Sequence, residues 1–434
     1  MKLSDRHSYE SLKKGTSGDS KGRLFFNDAG MFDLSSVNIL GTSVDTIRQL
    51  YHGLPKTELV EWLDNHTMEF IKIRLPLCSR VVAGKHYQKY MSFEFAHSRM
   101  PKVSKYRHKL QNNELGIIIL FGSWYATMDN QGQHLKIELS PKFISARSPS
   151  TIQNILNFIA NQVLNDAIPK GCAVHLAFDY QGFDLPENFL DLFSTRSRII
   201  KRYDGLNTLD ISSISEAVAT YGTNQGEYLI GKATAVQVSA YDKTREIIKS
   251  DKVDYFHDYW DSYTFGDWNK DDTVRRLEMR VPHTAIREIG NALDVELESF
   301  LQVSEYLTDI WRYALENNRL HIDQKKKILH PFWQFLLEDV EFLMPSRNLK
   351  LVRKKKQDVA AIERNVSQIL GNIISVAARN PQVTARHVLS GLKKNRLIYQ
   401  TIVRSYQQRG KLECEIEFFI EEGLKRRRLK GKAA

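Results

Sequence analysis

A tyrosine, a lysine and two acids occur where two predicted strands could bring them together. The predicted strand Val236–Lys243 carries Tyr241 and Lys243 on one side, and Glu246 follows to complete a Tyr-x-Lys-x-x-Glu pattern. A second predicted strand, Val274–Val281, carries Glu278 between two arginines. A phenol that attacks phosphorus, a cation that holds phosphate and an acid that holds a metal ion could together cut a phosphodiester through a covalent intermediate.

Four predicted strands each carry their polar residues on one side, because side chains alternate across a strand. They are Leu135–Ser140, Ala173–Tyr180, Val236–Lys243 and Val274–Val281. If these strands form one sheet with helices packed behind it, the polar side collects carboxylates and an imidazole that suit Mg²⁺ or Mn²⁺. The candidate catalytic residues are Tyr241 and Lys243, the candidate metal ligands are Glu278, Asp179, His175 and Glu138, and the candidate supporting residues are Glu246, Asp242, Arg276 and Arg280.

Two features leave this interpretation open. Any half-exposed antiparallel sheet has a polar face, so a surface row of ion pairs would produce the same pattern. Asp242 falls on the apolar side of its strand unless the strand ends at Tyr241.

Positive charge is concentrated in the last part of the chain. The formal net charge is +11, and residues 321–434 carry 24 Lys and Arg against 11 Asp and Glu, whereas the other residues carry 38 against 40. A basic region on a near-neutral body favours a polyanion such as DNA, although a solvated tail would have the same composition. The candidate DNA-binding residues are Lys354, Lys355, Lys393, Lys394, Arg426, Arg427 and Arg428, and residues 425–428 are predicted to form a disordered tail.

The composition is typical of a soluble protein in a reducing compartment. Hydrophobic residues make up 42% of the 434 residues, and there is neither an apolar run that could span a bilayer nor a signal peptide. Three scattered cysteines have no metal-binding or disulfide spacing. We therefore expect a cytoplasmic location and no membrane partner.

The hydrophobic periodicity predicts an α+β fold, with a mostly antiparallel sheet core and packed helices, followed by a basic helical C-terminal region. The predicted divisions are a flexible segment (residues 1–30), a core (31–290) and a helical, basic region (291–434). Within them, a strand over Phe70–Leu75 is expected to stop at Pro76, and Leu293–Leu315 is expected to form one helix. The aromatic-rich segment Tyr255–Trp268 has no clear assignment.

Several of these segments resemble the replication initiation proteins of rolling-circle elements, which include filamentous phage replication endonucleases and initiators of small staphylococcal-type plasmids. The resemblance begins with Tyr241–Glu246 followed by Arg276–Arg280. Further matching segments, in the same order as in that group, are Val44–Arg48, Leu135–Lys142, Gly171–Asp179, His330–Trp333 and Ala361–Ile374. The resemblance covers residues 37–374 and rests on the ordered set rather than on any one motif.

This resemblance implies a site-specific, metal-dependent DNA nickase that forms a covalent 5′-phosphotyrosine and later rejoins the strand. Tyr241 matches the nucleophilic tyrosine of that group, and Lys243 matches the lysine of its Tyr-x-Lys pair. Glu278 and Asp179 match the acids that hold the metal ion. His175 stands where relatives often have aspartate. The implied cofactor is Mg²⁺ or Mn²⁺. The implied partners are origin DNA with a single-stranded or hairpin nick site, a host helicase and polymerase, and a second copy in a homodimer.

Three alternatives remain at this stage. Tyr221 and Tyr228 lie upstream of Tyr241 and are rival nucleophiles. The protein could be an origin-binding initiator without enzymatic activity. It could also be the relaxase of a conjugative element, which uses the same chemistry for a different purpose.

Overall fold

The structure, a computed structural model, describes residues 24–27, 30–34, 36–82, 85–101, 104–124, 133–145, 147–197, 200–203, 227–325, 327–354, 359–407, 413 and 415–429. The chain separates into two compact units, residues 1–354 and 355–434. This boundary lies later than the predicted one after residue 290. The helices between residues 283 and 338 bury their apolar side chains in the core of the first unit, which explains the difference.

The strands all belong to the first unit. In chain order they are β1 (Leu24–Asn27), β2 (Gly30–Asp33), β3 (Asn38–Pro55), β4 (Phe70–Val82), β5 (Lys85–Arg99), β6 (Tyr106–Asn112), β7 (Ile117–Ser123), β8 (Gln133–Leu139), β9 (Leu164–Gln181), β10 (Phe193–Thr195), β11 (Ile200–Arg202), β12 (Tyr228–Ile230), β13 (Gln237–Asp242), β14 (Arg275–Val281), β15 (Asn318–Asp323) and β16 (Ile328–Leu329).

Most of these strands form one antiparallel sheet of eleven strands. Its spatial order is β11-β12-β13-β14-β9-β3-β8-β7-β6-β5-β4. Strands β1 and β2 form a separate hairpin, and β10, β15 and β16 form a three-stranded sheet. The four strands selected from the sequence, β8, β9, β13 and β14, therefore lie in one sheet, with β3 inserted between β8 and β9.

The helices of the first unit are α1 (Thr57–Asn65), α2 (Pro141–Ile144), α3 (Pro149–Val163), α4 (Phe189–Leu192), α5 (Lys243–Lys249), α6 (Val253–Thr264), α7 (His283–Leu293), α8 (Phe300–Ser304), α9 (Leu307–Glu316) and α10 (Pro331–Glu338). Those of the second unit are α11 (Val359–Ala378), α12 (Ala385–Lys394), α13 (Arg396–Gln407) and α14 (Glu415–Leu429). Among the described residues, no helix is both long enough and apolar enough to cross a membrane.

The two faces of the large sheet differ as the alternation predicts. We call the side that carries Val174, Leu176 and Phe178 the core face, and the side that carries His175 and Asp179 the polar face. Strands β8, β13 and β14 follow the same phase, with Leu135, Ile137, Val238, Ala240, Leu277 and Met279 in the main core cluster. Burial of this cluster against the helices is the main source of stability for the first unit. The predicted α+β fold is confirmed.

Three predicted elements have different boundaries. Strand β4 continues past Pro76, where its register against β5 shifts, as expected for a bulge that accommodates a proline. The predicted helix Leu293–Leu315 is broken, because α7 ends at a left-handed Asp294 and Ser299 caps α8 in a capping box. Most of the unassigned aromatic-rich segment is α6.

The described residues of the second unit form four helices around a small apolar cluster. That cluster includes Leu370, Ile374, Val388, Ile402 and Ile420. Residues 425–428 lie in α14, so the predicted disordered tail is instead helical. Two of its arginines explain this difference, because they hydrogen-bond inside the unit: Arg427 to Ser375 Oγ at 2.9 Å, and Arg428 to the carbonyls of Asn380 at 2.9 Å and Val383 at 2.7 Å.

Candidate active site

The register of three strands stacks polar side chains against one another on the polar face. The opposite pairs are Tyr241 with Arg276, Ser239 with Glu278, Arg276 with Asp179, and Arg280 with His175. Directly opposite residues project to the same side of an antiparallel sheet and touch. The strand pairing alone therefore gathers the phenol, two acids, two guanidinium groups and an imidazole.

The Glu278 carboxylate is the centre of this site. It is 1% exposed and accepts a hydrogen bond from the Tyr241 hydroxyl at 3.2 Å. Arg280 donates to its two oxygens at 2.9 Å and 3.2 Å, and His175 Nδ1 lies 2.9 Å from Oε1. A carboxylate oxygen can only accept, so Nδ1 carries the hydrogen in this contact. Glu278 thus connects the phenol to a cation and an imidazole.

A β-bulge in β3 adds Asp45 to the site. Val44 and Thr46 pair with adjacent residues of β9, so Asp45 is the extra residue between them. Val44 and Ile47 both lie in the core cluster, a spacing that a regular two-residue alternation does not allow. The bulge therefore leaves Asp45 free to turn toward the polar face.

Asp45, His175 and Glu278 could hold a metal ion, because each places one ligand atom within 4.8 Å of the others. Two carboxylates and an imidazole are ligands that Mn²⁺ accepts, and Mg²⁺ favours the oxygens of the same set, so the donor chemistry fits a divalent cation. The two carboxylates also bind Arg276 and Arg280. A bound cation would compete with these guanidinium groups.

The Arg276 guanidinium joins three strands. It is fully buried and donates to Asp179 through Nε at 2.6 Å and Nη2 at 2.7 Å, while Nη1 donates to Asp45. The Trp260 indole donates to Asp179 at 3.0 Å. The carboxylate of Asp179, a predicted metal ligand, is thereby occupied by an ion pair with two hydrogen bonds and lies outside the group around Glu278.

Glu138, another predicted metal ligand, also lies apart from that group. It is on the polar face of β8, with β3 standing between it and the strand of His175. Its carboxylate contacts Lys136 at 2.6 Å and Arg48 at 3.4 Å. Of the four predicted ligands, the structure brings together His175 and Glu278.

The residues after Tyr241 begin a helix rather than continuing the strand. Asp242 ends β13, and its Oδ1 caps α5 by accepting the backbone N–H three residues further on, at 2.9 Å. Lys243 is buried and donates to Glu246. These three predicted residues therefore fix the start of α5, and the Lys243 ammonium is directed to its helical neighbour.

The electrostatic environment keeps the phenol protonated. Burial and the Glu278 charge raise the pKa of Tyr241 well above its usual value, with Arg276 opposing them. Burial opposes ionisation of Glu278, yet Arg280 and His175 hold its pKa well below the usual value. Burial lowers the pKa of His175 from 6.5, against the effect of its bond to Glu278. At neutral pH the site therefore contains a neutral phenol, a carboxylate and a neutral imidazole.

Tyr203, which sequence analysis did not select, covers the candidate nucleophile. Its ring centre lies 5.3 Å from that of Tyr241, with the two rings nearly perpendicular at 88°. Its hydroxyl accepts a hydrogen bond from Arg280 at 2.8 Å. Each of the two tyrosines is only 5% exposed. The Tyr241 side chain is thus largely shielded from solvent, with Tyr203 packed against its ring.

The rival nucleophiles are less well placed. Tyr228 belongs to the core cluster, and its ring stacks on Phe189 at 5.1 Å. Tyr221 lies outside the described residues.

The candidate DNA-binding residues are divided between exposed and internally bonded positions. Lys354 is exposed near the end of the first unit, and Lys393, Lys394 and Arg426 are exposed on the second unit. Arg427 and Arg428 make the internal hydrogen bonds described above. Lys355 lies outside the described residues.

We expect Asp179→Asn to lower the free energy of unfolding of the first unit by about 3–5 kcal/mol, because it leaves the buried Arg276 without its main counterion. Asp184→Asn is the matched control, since Asp184 is 77% exposed and pairs with Arg275 at 2.9 Å; its expected cost is about 0–1 kcal/mol. Urea unfolding followed by tryptophan fluorescence measures this unit, because all six tryptophans lie before residue 355. Equal losses in the two variants would contradict the role given to Arg276.

We expect Asp45→Asn to weaken Mn²⁺ binding by about tenfold or more, because it removes one of three ligand groups. Glu138→Gln should bind Mn²⁺ like the unmodified protein. Titration of free Mn²⁺ by electron paramagnetic resonance measures both. A loss in Glu138→Gln as large as that in Asp45→Asn would restore the ligand set predicted from the sequence.

Comparison with known proteins places the chain beside a phage protein. No protein-family model matches the chain. Uncharacterized protein ORF430 of Pseudomonas phage Pf1 is 28% identical over 421 residues, which cover 93% of this chain and 92% of the phage protein. The similarity extends over both units and suggests a phage origin, and the relative's name states no activity.

Proposed function

We propose that the protein is a metal-dependent, site-specific DNA nickase that cuts one strand through Tyr241 and later rejoins it. One observation carries this proposal: the Tyr241 hydroxyl is hydrogen-bonded to Glu278, which also belongs to the three-residue group that could bind a divalent cation. A phenol and a candidate metal centre that share a carboxylate combine the two devices suited to covalent phosphodiester cleavage, a nucleophile and a charge for the phosphate.

In the proposed step, the Tyr241 oxygen forms a bond to phosphorus while the bond from phosphorus to the 3′ oxygen breaks. The phenolic proton leaves along the hydrogen bond to Glu278, and the departing 3′ oxygen takes up a proton to become a 3′-OH. Glu278 is a weak base because its pKa is well below the usual value, so it passes the proton on rather than keeping it. The phosphotyrosine conserves the phosphodiester bond, and the reverse attack by a 3′-OH rejoins the strand.

A divalent cation held by Asp45, His175 and Glu278 would supply charge for the developing phosphorane oxygens. Among the protein's own residues, Arg280 and Arg276 hold the carboxylates in place. Burial and, after it, the Glu278 charge raise the pKa of Tyr241 in the resting protein. Neutralisation of that charge would lower the pKa of Tyr241 and make its hydroxyl a better nucleophile.

The biological role that agrees best with these features is initiation of rolling-circle replication at an origin. The ordered motifs around Tyr241 and Glu278 resemble that group, and the phage protein described above is similar to 93% of the chain. The basic second unit would bind DNA phosphates, which gives affinity that falls as salt rises. An origin-binding initiator without activity has the same charge distribution, but it offers no reason for the link between Tyr241 and Glu278.

We expect the unmodified protein, with Mg²⁺ or Mn²⁺, to nick supercoiled DNA that carries the element's own origin. Tyr241→Phe should reduce nicking by about a thousandfold or more, because it removes the nucleophile. Tyr228→Phe is the matched control and should nick normally, since its phenol lies in the apolar core. Loss of nicking in EDTA checks the need for a metal ion. Tight origin binding without any nicking would favour the non-enzymatic initiator.

A second expectation separates exposed from internal arginines in the second unit. Arg426→Gln should weaken DNA binding about threefold without changing thermal stability, because its side chain is exposed and can contact phosphate. Arg427→Gln should lower the melting temperature instead, since it breaks the hydrogen bond to Ser375. Fluorescence anisotropy and circular dichroism on the full chain measure the two effects. If Arg426→Gln left DNA affinity unchanged, the proposed DNA-binding role of this residue would be wrong.

A further inference from the structure

Three charged residues beside the candidate active site form an incomplete ion pair. Arg48 on β3 lies opposite Glu138 on β8, and Lys136 lies two residues before Glu138 on the same face. Glu138 contacts Lys136 at 2.6 Å and Arg48 at 3.4 Å. Two cations therefore share one carboxylate, which leaves an excess of one positive charge.

The Lys136 ammonium lies within hydrogen-bond distance of Glu138 Oε1, whereas the Arg48 contact is longer. Within the described part of the chain, Arg48 Nε is a buried side-chain atom without a hydrogen-bond partner. The Arg276–Asp179 pair on the same face, by contrast, is fully buried and makes two hydrogen bonds. The hydrogen bonds of Arg276 are therefore used within the fold, whereas Arg48 Nε makes no hydrogen bond to the acid beside it.

The two cations are also accessible from solvent. The side chain of Arg48 is 33% exposed and that of Lys136 is 17% exposed, whereas that of Glu138 is 1% exposed. An approaching anion would therefore meet the cations and not the acid. Burial lowers the pKa of Lys136, and the Glu138 charge opposes this effect.

The cations lie next to the catalytic group along the sheet. Arg48 is opposite Ala173, two residues along β9 from His175, a separation of about 7 Å. Arg48 and Arg280 both add to the burial that lowers the pKa of His175, so both cations act on the same imidazole. Positive charge thus continues from the site of Tyr241 to Arg48 and Lys136.

We propose that Arg48 and Lys136 bind a phosphate of the DNA strand next to the one that Tyr241 attacks, and that Glu138 weakens this binding as an internal competitor. The ligand is a phosphodiester of a single strand. The inference rests on the proposed nickase function and gives Glu138 a role different from that of a metal ligand. An internal acid of this kind lowers the affinity for DNA that contacts only Arg48 and Lys136 and does not also occupy the group around Tyr241.

If Glu138 competes with DNA, its replacement by a neutral residue should raise the affinity for DNA. Glu138→Gln removes the negative charge but keeps the shape, so it should bind DNA about fivefold more tightly. Arg48→Gln and Lys136→Gln should each bind about fivefold more weakly, with a salt dependence shallower by about 0.7 for each lost contact. Arg48→Lys keeps the charge and should restore most of the affinity.

The measurement is fluorescence anisotropy of a short fluorescein-labelled single-stranded oligonucleotide with the full chain, in EDTA and at several salt concentrations. Glu94→Gln is the matched control, because Glu94 is 62% exposed and pairs with Lys72 at 3.9 Å; its affinity should not change. Melting temperatures identify any variant that fails to fold, and in that case the Arg48→Lys and Arg48→Gln pair decides. Weaker or equal binding by a folded Glu138→Gln would overturn the proposal.

The test also separates this inference from the proposed function. If the predicted changes in affinity occur but the unmodified protein never nicks DNA, the phosphate site stands and the nickase proposal fails. If the protein nicks DNA and Glu138→Gln does not alter affinity, the phosphate site fails and the nickase proposal stands.

Discussion

The fully buried Arg276 guanidinium is the interaction on which the candidate active site depends. It binds Asp179 on β9 and Asp45 on β3 from its own strand β14, so one side chain ties together the three central strands of the polar face. A charge buried this deeply is tolerated only if it is fully paired, and both acids are therefore required by the fold. The same pairing sets the position of Asp45 beside His175 and Glu278.

The bulge at Asp45 gives the site its third candidate ligand. A regular β3 would alternate with period two and could not place both Val44 and Ile47 in the core. The extra residue resolves this conflict and leaves an acid on the polar face, within reach of His175 and Glu278. Bulges often re-aim a side chain in this way next to active sites. Glu278 then joins the two parts of the site, because it contacts both the phenol and the imidazole.

The sequence predicted the large features of this arrangement, and the details that failed have physical reasons. Period-two alternation assigned the polar face of four strands correctly, because one face of each had to be apolar against the helices. It could not distinguish Asp179, which neutralises an arginine, from an acid that holds a metal ion. An acid in either role lies on the polar side of its strand and gives the same alternation. Asp45 was missed as a ligand, although the odd spacing of Val44 and Ile47 is the signal of a bulge. Lys243 was assigned to the strand because the cap at Asp242 depends on a local hydrogen bond that periodicity does not contain.

The central claim is that Tyr241 becomes covalently joined to DNA. The most direct measurement is to trap the protein on origin DNA in the presence of Mn²⁺, digest both polymers and identify the modified peptide by mass spectrometry. The account predicts a 5′-linked nucleotide on the Tyr241 peptide. A nucleotide on any other tyrosine, including Tyr203, or nicked DNA with no adduct on the protein, would contradict it.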